Sequence, residues 1–432
     1  MPHPSSPSQR LSRPDRAEAV RRLLHDLAPA RSVDRLPRMA VGGVLAHEVV
    51  TRTPLPEHAV SLRDGYAVLA RDTQSASADH PVTLPIQGRL TADAQAHAPL
   101  GEHRTIRVLT GAPLPPGADA VIPEENVHRV DLPPGNDACK AIHITDPVVP
   151  GLHVLPPGAD LPVDSRAGRF GETITPACAA LLTRAKVPEV SIHDQPLGAM
   201  FALGDELQPP ERFDGLHSDQ PQPDGIPADN TVLVPHLLRS WGMPIESQGI
   251  FKDSLPAITK HLAMLAHQNS QLRLVVSTGG TGKSERDHIR QAARDAGFTF
   301  LFHGLNARPG KSAFAARLSR QDGHDLTLLG LPGPPPAVFA LLHALALPLI
   351  HALCGLAPSG RYAALDREIT TRPGPEWLVP CTLRHEGAVR VAHPLLGPRM
   401  PSYLALARAD AVLALPPDAH LPAGTEVEIF QG

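Results

Sequence analysis

From about residue 196 the chain alternates between short apolar runs and longer segments of helical periodicity, and this alternation restricts the fold more than any other feature. "LGAMFALG" reads as a strand, "DNTVLVPHLLRSWG" as a helix capped by Asp229 or Asn230 and stopped by Gly242, and "MPIESQGIF" as a second strand. The pattern continues with a helix in "DSLPAITKHLAMLAHQ", a strand in "LRLVVS", a helix in "SERDHIRQAARDAG" with Gly297 past its end, and a strand in "DLTLLGLPG". Strand–helix alternation predicts a mostly parallel sheet covered by helices on both faces, a three-layer α/β domain. Such sheets bind ligands beyond the carboxyl ends of their strands. "STGGTGKS" and "GLPGPPP" both fall there.

The flanking sequence has a different texture. Residues 16–28, "RAEAVRRLLHDLA", have helical periodicity, and "TPACAALLTRAKV" reads as a helix opened by Thr175 with Pro176 in its first turn. Residues 50–136 are rich in Pro, Gly and short β-like runs, which predicts a β-rich unit. After about 358, runs such as "LVPCTLR", "AVRVAH" and "TEVEIF" predict a small β domain. A chain of 432 residues has room for two to four domains of about 100–200 residues each. Residues 1–15, polar and rich in Pro and Ser, read as a disordered tail rather than a signal peptide.

Composition removes several function classes. A formal net charge of −4 provides no basic excess, so nucleic acid is not the expected partner. Cys139, Cys178, Cys354 and Cys381 lie far apart without CxxC spacing, which argues against a zinc site or disulfide framework and for a reducing cytoplasm. "AVFALLHALALPLIHALCG" is about long enough to span a bilayer, yet it contains His343, Pro348 and His351 and has no second segment like it. A buried core helix, not a membrane anchor, is expected there.

The candidate chemistry begins in "VVSTGGTGKSERDH". A Walker P-loop requires a Gly five residues before Gly282, and position 277 is Ser. A strand, a Gly turn and a helix start still form an anion cradle, so Thr278, Gly279, Gly280, Gly282, Lys283 and Ser284 are candidate binding residues. Asp287 has the spacing of a capping box with Ser284, and equally suits Mg²⁺ or a polar ligand group. Asp64 precedes Gly65 either as a hairpin turn pair or as a site residue, and Asp205 and Glu206 end a strand where carboxylates often face ligands. Arg308 and Lys311 flank a Pro-Gly turn, and Gly333 sits at a strand-to-helix junction whose three following prolines remove backbone donors.

Taken in order, these stretches resemble the molybdopterin molybdenumtransferase family, the MoeA proteins and the gephyrin E domain. "SLRDGYAV", "VLTGAPLPPGADAVIPEEN", "LGDEL", "STGGTGKSERD", "RPGKSAF" and "GLPGPPPAVF" carry the resemblance, from about residue 50 to 355. The "TGGTG" wording is also similar to the MogA/MoaB proteins. The resemblance implies a multidomain α/β homodimer. Residues 16–50 plus 137–190 would form a segmented dimerisation domain, 51–136 an inserted β-rich domain, 191–357 a MogA/MoaB-like molybdopterin-binding domain and 358–432 a C-terminal β domain. It implies insertion of molybdate into adenylylated molybdopterin with Mg²⁺ and release of AMP. By position, Asp64, Glu206, Asp287 and Lys311 would be catalytic. Asp119, Asp160 and Arg308 would join the Gly turn and Gly333 in binding, and Asp253 with Asp287 would hold metal. A MogA-like adenylyltransferase or a molybdoenzyme is the implied partner.

The departures are local. Arg63 replaces a family Met, Leu203 a Thr, Arg308 a Lys and Pro334 the Asn of G-N-P, while V-S-x-G has become Thr281-Gly282-Lys283-Ser284. Lys283 adds an anion-binding charge or blocks the pocket. The alternatives to an active transferase are a catalytically weakened paralogue acting as carrier or scaffold and, against the Ser277 evidence, a nucleotide phosphotransferase.

Overall fold

The strand Leu272–Thr278 is buried along its whole length, as befits a strand covered on both faces. Leu274 and Val276 enter one core with Met200, Val234, Leu238 and Leu329, and Val275 enters another with Phe201, Ile258, Leu262 and Ile289. Successive side chains therefore serve opposite faces, and a three-layer α/β arrangement follows. The sheet order is Ile245–Phe251, Leu197–Leu203, Leu272–Thr278, Leu326–Leu331, Phe314–Leu318, Thr299–His303. The first four strands are parallel and the last two join antiparallel.

This is a computed structural model describing residues 13–93, 98–131, 140–215, 224–281, 288–356, 360–396 and 402–432. The chain divides into two units: residues 1–34, 43–46 and 191–432, and residues 35–42 and 47–190. The helix Arg16–Leu24, capped by Asp15 through the Glu18 N–H at 2.7 Å, lies in the first unit. Its stripe of Ala19 and Leu23 enters the α/β core with Leu349 and Leu353. It is grouped there with residues 191–432. The sequence revealed the stripe but not what covers it.

The long apolar segment Pro335–Leu353 has the length and composition to cross a membrane, yet 72% of its window is buried inside the protein. It runs as Pro335–Leu341 and Leu347–Leu353 joined by a π turn over Leu342–Ala346. Pro348 has no N–H to return to the preceding turn, which accounts for the widened ladder just before it. In the C-terminal sheet, Glu376–Glu386 pairs with both Val389–Pro394 and Ala411–Leu415. With Arg361–Leu365 and Glu426–Phe430 the strands close into a small barrel around Val379, Cys381, Leu413 and Ile429.

The second unit carries a six-stranded sheet in the order Ala120–Pro123, Gly65–Val68, Thr105–Val108, Val82–Leu90, Lys140–Ile144, His128–Asp131. It extends past the expected boundary at 136, because Lys140–Ile144 pairs with both Val82–Leu90 and His128–Asp131. The helix Pro176–Arg184 starts as expected, with Thr175 Oγ1 accepting the Cys178 N–H at 3.1 Å.

Candidate active site

Four parallel strands end together, and the loops that leave them enclose a cavity of about 650 Å³. Leu203, Gly204 and Glu206 follow one strand, Asp253 the next, Thr278, Gly279 and Gly280 the third, and Pro332, Gly333 and Pro334 the fourth. Ligand sites in parallel α/β sheets lie at this position. Two adjacent loops are tied together: Asp205 Oδ1 accepts the Asp253 N–H at 3.2 Å, and the Gly204 N–H reaches the Phe251 carbonyl at 3.2 Å. A Cβ at Gly204 would lie 2.8 Å from Glu206 Oε1, so the Glu206 carboxylate would have to shift to admit it.

The Gly turn is built by backbone geometry. Gly279 and Gly280 have φ of +83° and +62°, values that favour residues without a Cβ. The Gly279 N–H is already used, donating to the Leu331 carbonyl at 3.1 Å. Gly280 and Thr281 line the cavity beyond it, and Thr281 Oγ1 donates to Ser312 Oγ at 3.3 Å. Gly282, Lys283, Ser284 and Asp287 lie outside the described residues.

Of the expected residues, Glu206, Asp253, Thr278, Gly279, Gly280 and Gly333 meet in this cavity. Arg308 and Lys311 are exposed and do not line it; their turn contributes Ser312 instead. Asp64, Asp119 and Asp160 belong to the second unit. Asp64 accepts the Thr110 N–H at 2.7 Å and its hydroxyl at 2.8 Å. These bonds hold its carboxyl below the usual carboxylate range, the backbone one most strongly. Asp160 and Thr110 line a separate hollow of about 300 Å³ with Ser61 and Arg184. Asp119 Oδ1 accepts the Ala70 N–H at 2.6 Å.

Asp229, Asn230 and Tyr403 also line the cavity and escaped the sequence reading as site residues. Asp229 and Asn230 were read only as helix caps, and Asp229 occupies the N-cap position without a side-chain capping bond. Tyr403 comes from the helix Ser402–Arg408, near the C-terminus, and its hydroxyl donates to Asp229 Oδ2 at 3.4 Å. Burial pushes the Asp229 carboxyl up, opposed by hydrogen bonds from the Asn230 N–H and Tyr403. Burial likewise raises the Tyr403 phenol, with Asp229 adding to the effect.

Comparison with known proteins decides the family. Residues 15–185 match the MoeA N-terminal region (domain I and II), and residues 199–352 match a probable molybdopterin binding domain. The chain belongs to the MoeA family. A Nostoc molybdopterin molybdenumtransferase is 27% identical to this MoeA chain over 82% of it and 77% of the relative. Molybdopterin molybdenumtransferase 2 of Mycobacterium tuberculosis is 24% identical, over 90% of this chain and 93% of the relative. The MoeA structure from Pyrococcus horikoshii superposes with a TM-score of 0.80 at 23% identity, covering 98% of this chain and all of the other. That likeness establishes a shared MoeA fold.

Proposed function

We propose that the chain is a molybdopterin molybdenumtransferase of molybdenum cofactor biosynthesis, inserting molybdate into adenylylated molybdopterin and releasing AMP. The observation that carries the reading is the convergence of Glu206, Asp253 and the 278–281 turn in one cavity at the strand ends. The retained carboxylates favour an active enzyme over a non-catalytic carrier. The names of the relatives supply the reaction class.

In this reading the positive-φ turn at Gly279 and Gly280 gives a phosphate close access to backbone. Glu206 and Asp253 orient the substrate and hold polar groups at the strand ends. Their oxygen atoms are also hard donors of the kind that suit Mg²⁺. Among the described residues no group of three or more His, Cys, Asp or Glu is placed to hold a metal. Bound there, Mg²⁺ would neutralise phosphate charge. Arg308 and Lys311, exposed beside the turn that contributes Ser312, are placed for long-range attraction of anions rather than for contact in the cavity.

The enzyme is proposed as a cytoplasmic homodimer. Its adenylylated substrate calls for an adenylyl-transfer enzyme before it, and its product for a molybdoenzyme after it. The test is AMP release from adenylylated molybdopterin, with molybdate present, by wild type and by Glu206→Gln. Loss of one hydrogen bond to a charged group predicts a rate at least about tenfold lower. Wild type without turnover, or equal rates, refutes the assignment.

A further inference from the structure

Asn230 differs from every other side chain discussed in the cavity. The residue is only 6% exposed, lines the cavity, and donates from Nδ2 to the Gly333 carbonyl at 2.7 Å. Its Oδ1 is buried and has no hydrogen-bond partner among the described residues. The orientation of the amide is fixed by chemistry: the Gly333 carbonyl accepts only, so nitrogen must face it and the oxygen is left over. A buried acceptor without a partner is costly in a folded protein and marks a place where a ligand donor is awaited.

The surroundings specify that donor. Asp229, adjacent in sequence, lines the same cavity with a second acceptor group. The Tyr403 hydroxyl is turned toward that carboxylate, not toward a ligand acceptor. Pro334 and Pro335 form the neighbouring wall and have no N–H to offer. This corner therefore presents acceptors side by side with few donors. A 2-amino-4-oxopyrimidine edge, with a ring N–H beside an exocyclic NH₂, is its complement. The edge of adenine, where a ring nitrogen acceptor stands beside the NH₂, would set acceptor against acceptor.

We propose that Asn230 and Asp229 read the amino-pyrimidinone edge of the ligand, Asn230 Oδ1 accepting from the exocyclic amine and Asp229 from the ring N–H. The assignment rests on the functional reading above, in which a pterin enters this cavity. Asn230 is thus a specificity residue that also positions the Gly333 turn. The same edge occurs in guanine, so pterin and guanine nucleotide are the two possible sources.

The experiment is equilibrium titration of the full chain with pterin, lumazine (which has oxygen in place of the 2-amino group), GMP, IMP and AMP. Wild type is expected to prefer pterin over lumazine by about tenfold or more, as a site built to pair a donor rejects an analogue lacking it. In Asn230→Ala the preference falls to within about twofold. Asn230→Ser keeps a hydroxyl donor for the Gly333 carbonyl but withdraws the amide oxygen, so the preference is expected to fall with it, and it covers the case in which the alanine variant fails to fold. A preference for GMP over IMP that vanishes in Asn230→Ala, without one for pterin, supports the edge reading with guanine as its source. A role confined to holding Gly333 lowers pterin and lumazine binding equally, leaves the preference intact, and overturns the assignment. Wild type that binds none of the five compounds overturns the functional reading along with it. Binding with no preference for the amino-bearing compounds overturns only the edge reading.

Discussion

Gly279 and Gly333 line the same cavity for different physical reasons, and substitution separates them. A Cβ at Gly279 would lie 2.3 Å from the Leu203 carbonyl oxygen, at a φ of +83°. Gly279→Ala is therefore expected to cost more than about 1 kcal/mol of stability and to distort the turn. At Gly333 the nearest atom to a Cβ is 4.0 Å away and the backbone is not in the left-handed region. Gly333→Ala should keep stability within about 0.5 kcal/mol while narrowing the cavity for its ligand. Thermal melting and AMP-release rates on both variants check the contrast; equal losses of stability contradict it. Glycine spacing made both positions legible as site candidates, although only the Gly279 turn requires a residue without a Cβ. Asn230 and Tyr403 were not legible in the same way. A polar residue at a helix start is ordinarily a cap, and nothing near Tyr403 in sequence indicates that its hydroxyl meets Asp229, 174 residues earlier.

At the scale of elements, the π turn holds a titratable group in the core. His343 is 3% exposed, donates from Nδ1 to the Phe339 carbonyl at 2.9 Å and meets the Trp241 ring edge-on at 4.8 Å. Burial lowers its pKa from 6.5 to about 4. The folded protein keeps the ring neutral where the unfolded chain would protonate it, so the unfolded state binds more protons between those values. Stability from this group is full above pH 6.5 and is lost as pH falls toward 4, by about 3 kcal/mol in total. Urea unfolding at pH 7 and pH 4.5 should show a smaller acid loss for His343→Leu than for wild type, and equal losses would contradict the buried-neutral state. The helix itself was legible from its apolar length. Its break was not, because Pro348 forces a local widening whose form depends on the packing around it. Strands of the central sheet were legible for the opposite reason: burial on both faces demands continuous apolar runs, which sequence displays directly. The partner of the Arg16–Leu24 helix was hidden because an amphipathic stripe records that a face is covered, not by what.

At the scale of the whole molecule, the apolar surface of the second unit supplies the argument for association. Leu36, Met39, Val41, Val50, Val163 and Phe170 are exposed, Met39 at 67% and Phe170 at 63%. All six belong to residues 35–42 and 47–190. Val50 lies in Val49–Thr51, which pairs with Ser165–Gly168, the strand that Val163 precedes and Phe170 follows. Large apolar side chains left exposed mark an interaction face. We propose that the face is the homodimer contact, since a patch that meets its own copy about a two-fold axis is the commonest closed assembly. A stable contact requires burial of roughly 800 Å² per partner, and removing its two most exposed anchors should be decisive. Met39→Asp combined with Phe170→Asp places two charges on each copy where the contact would desolvate them. Light scattering on the wild type at micromolar concentration is expected to give the mass of two chains, and on the double variant the mass of one. The two aspartates lie on exposed positions, so the melting temperature of the separated chain should be limited by loss of the contact alone. A wild type that is monomeric, or a double variant that stays dimeric, would show that this face does not make the dimer.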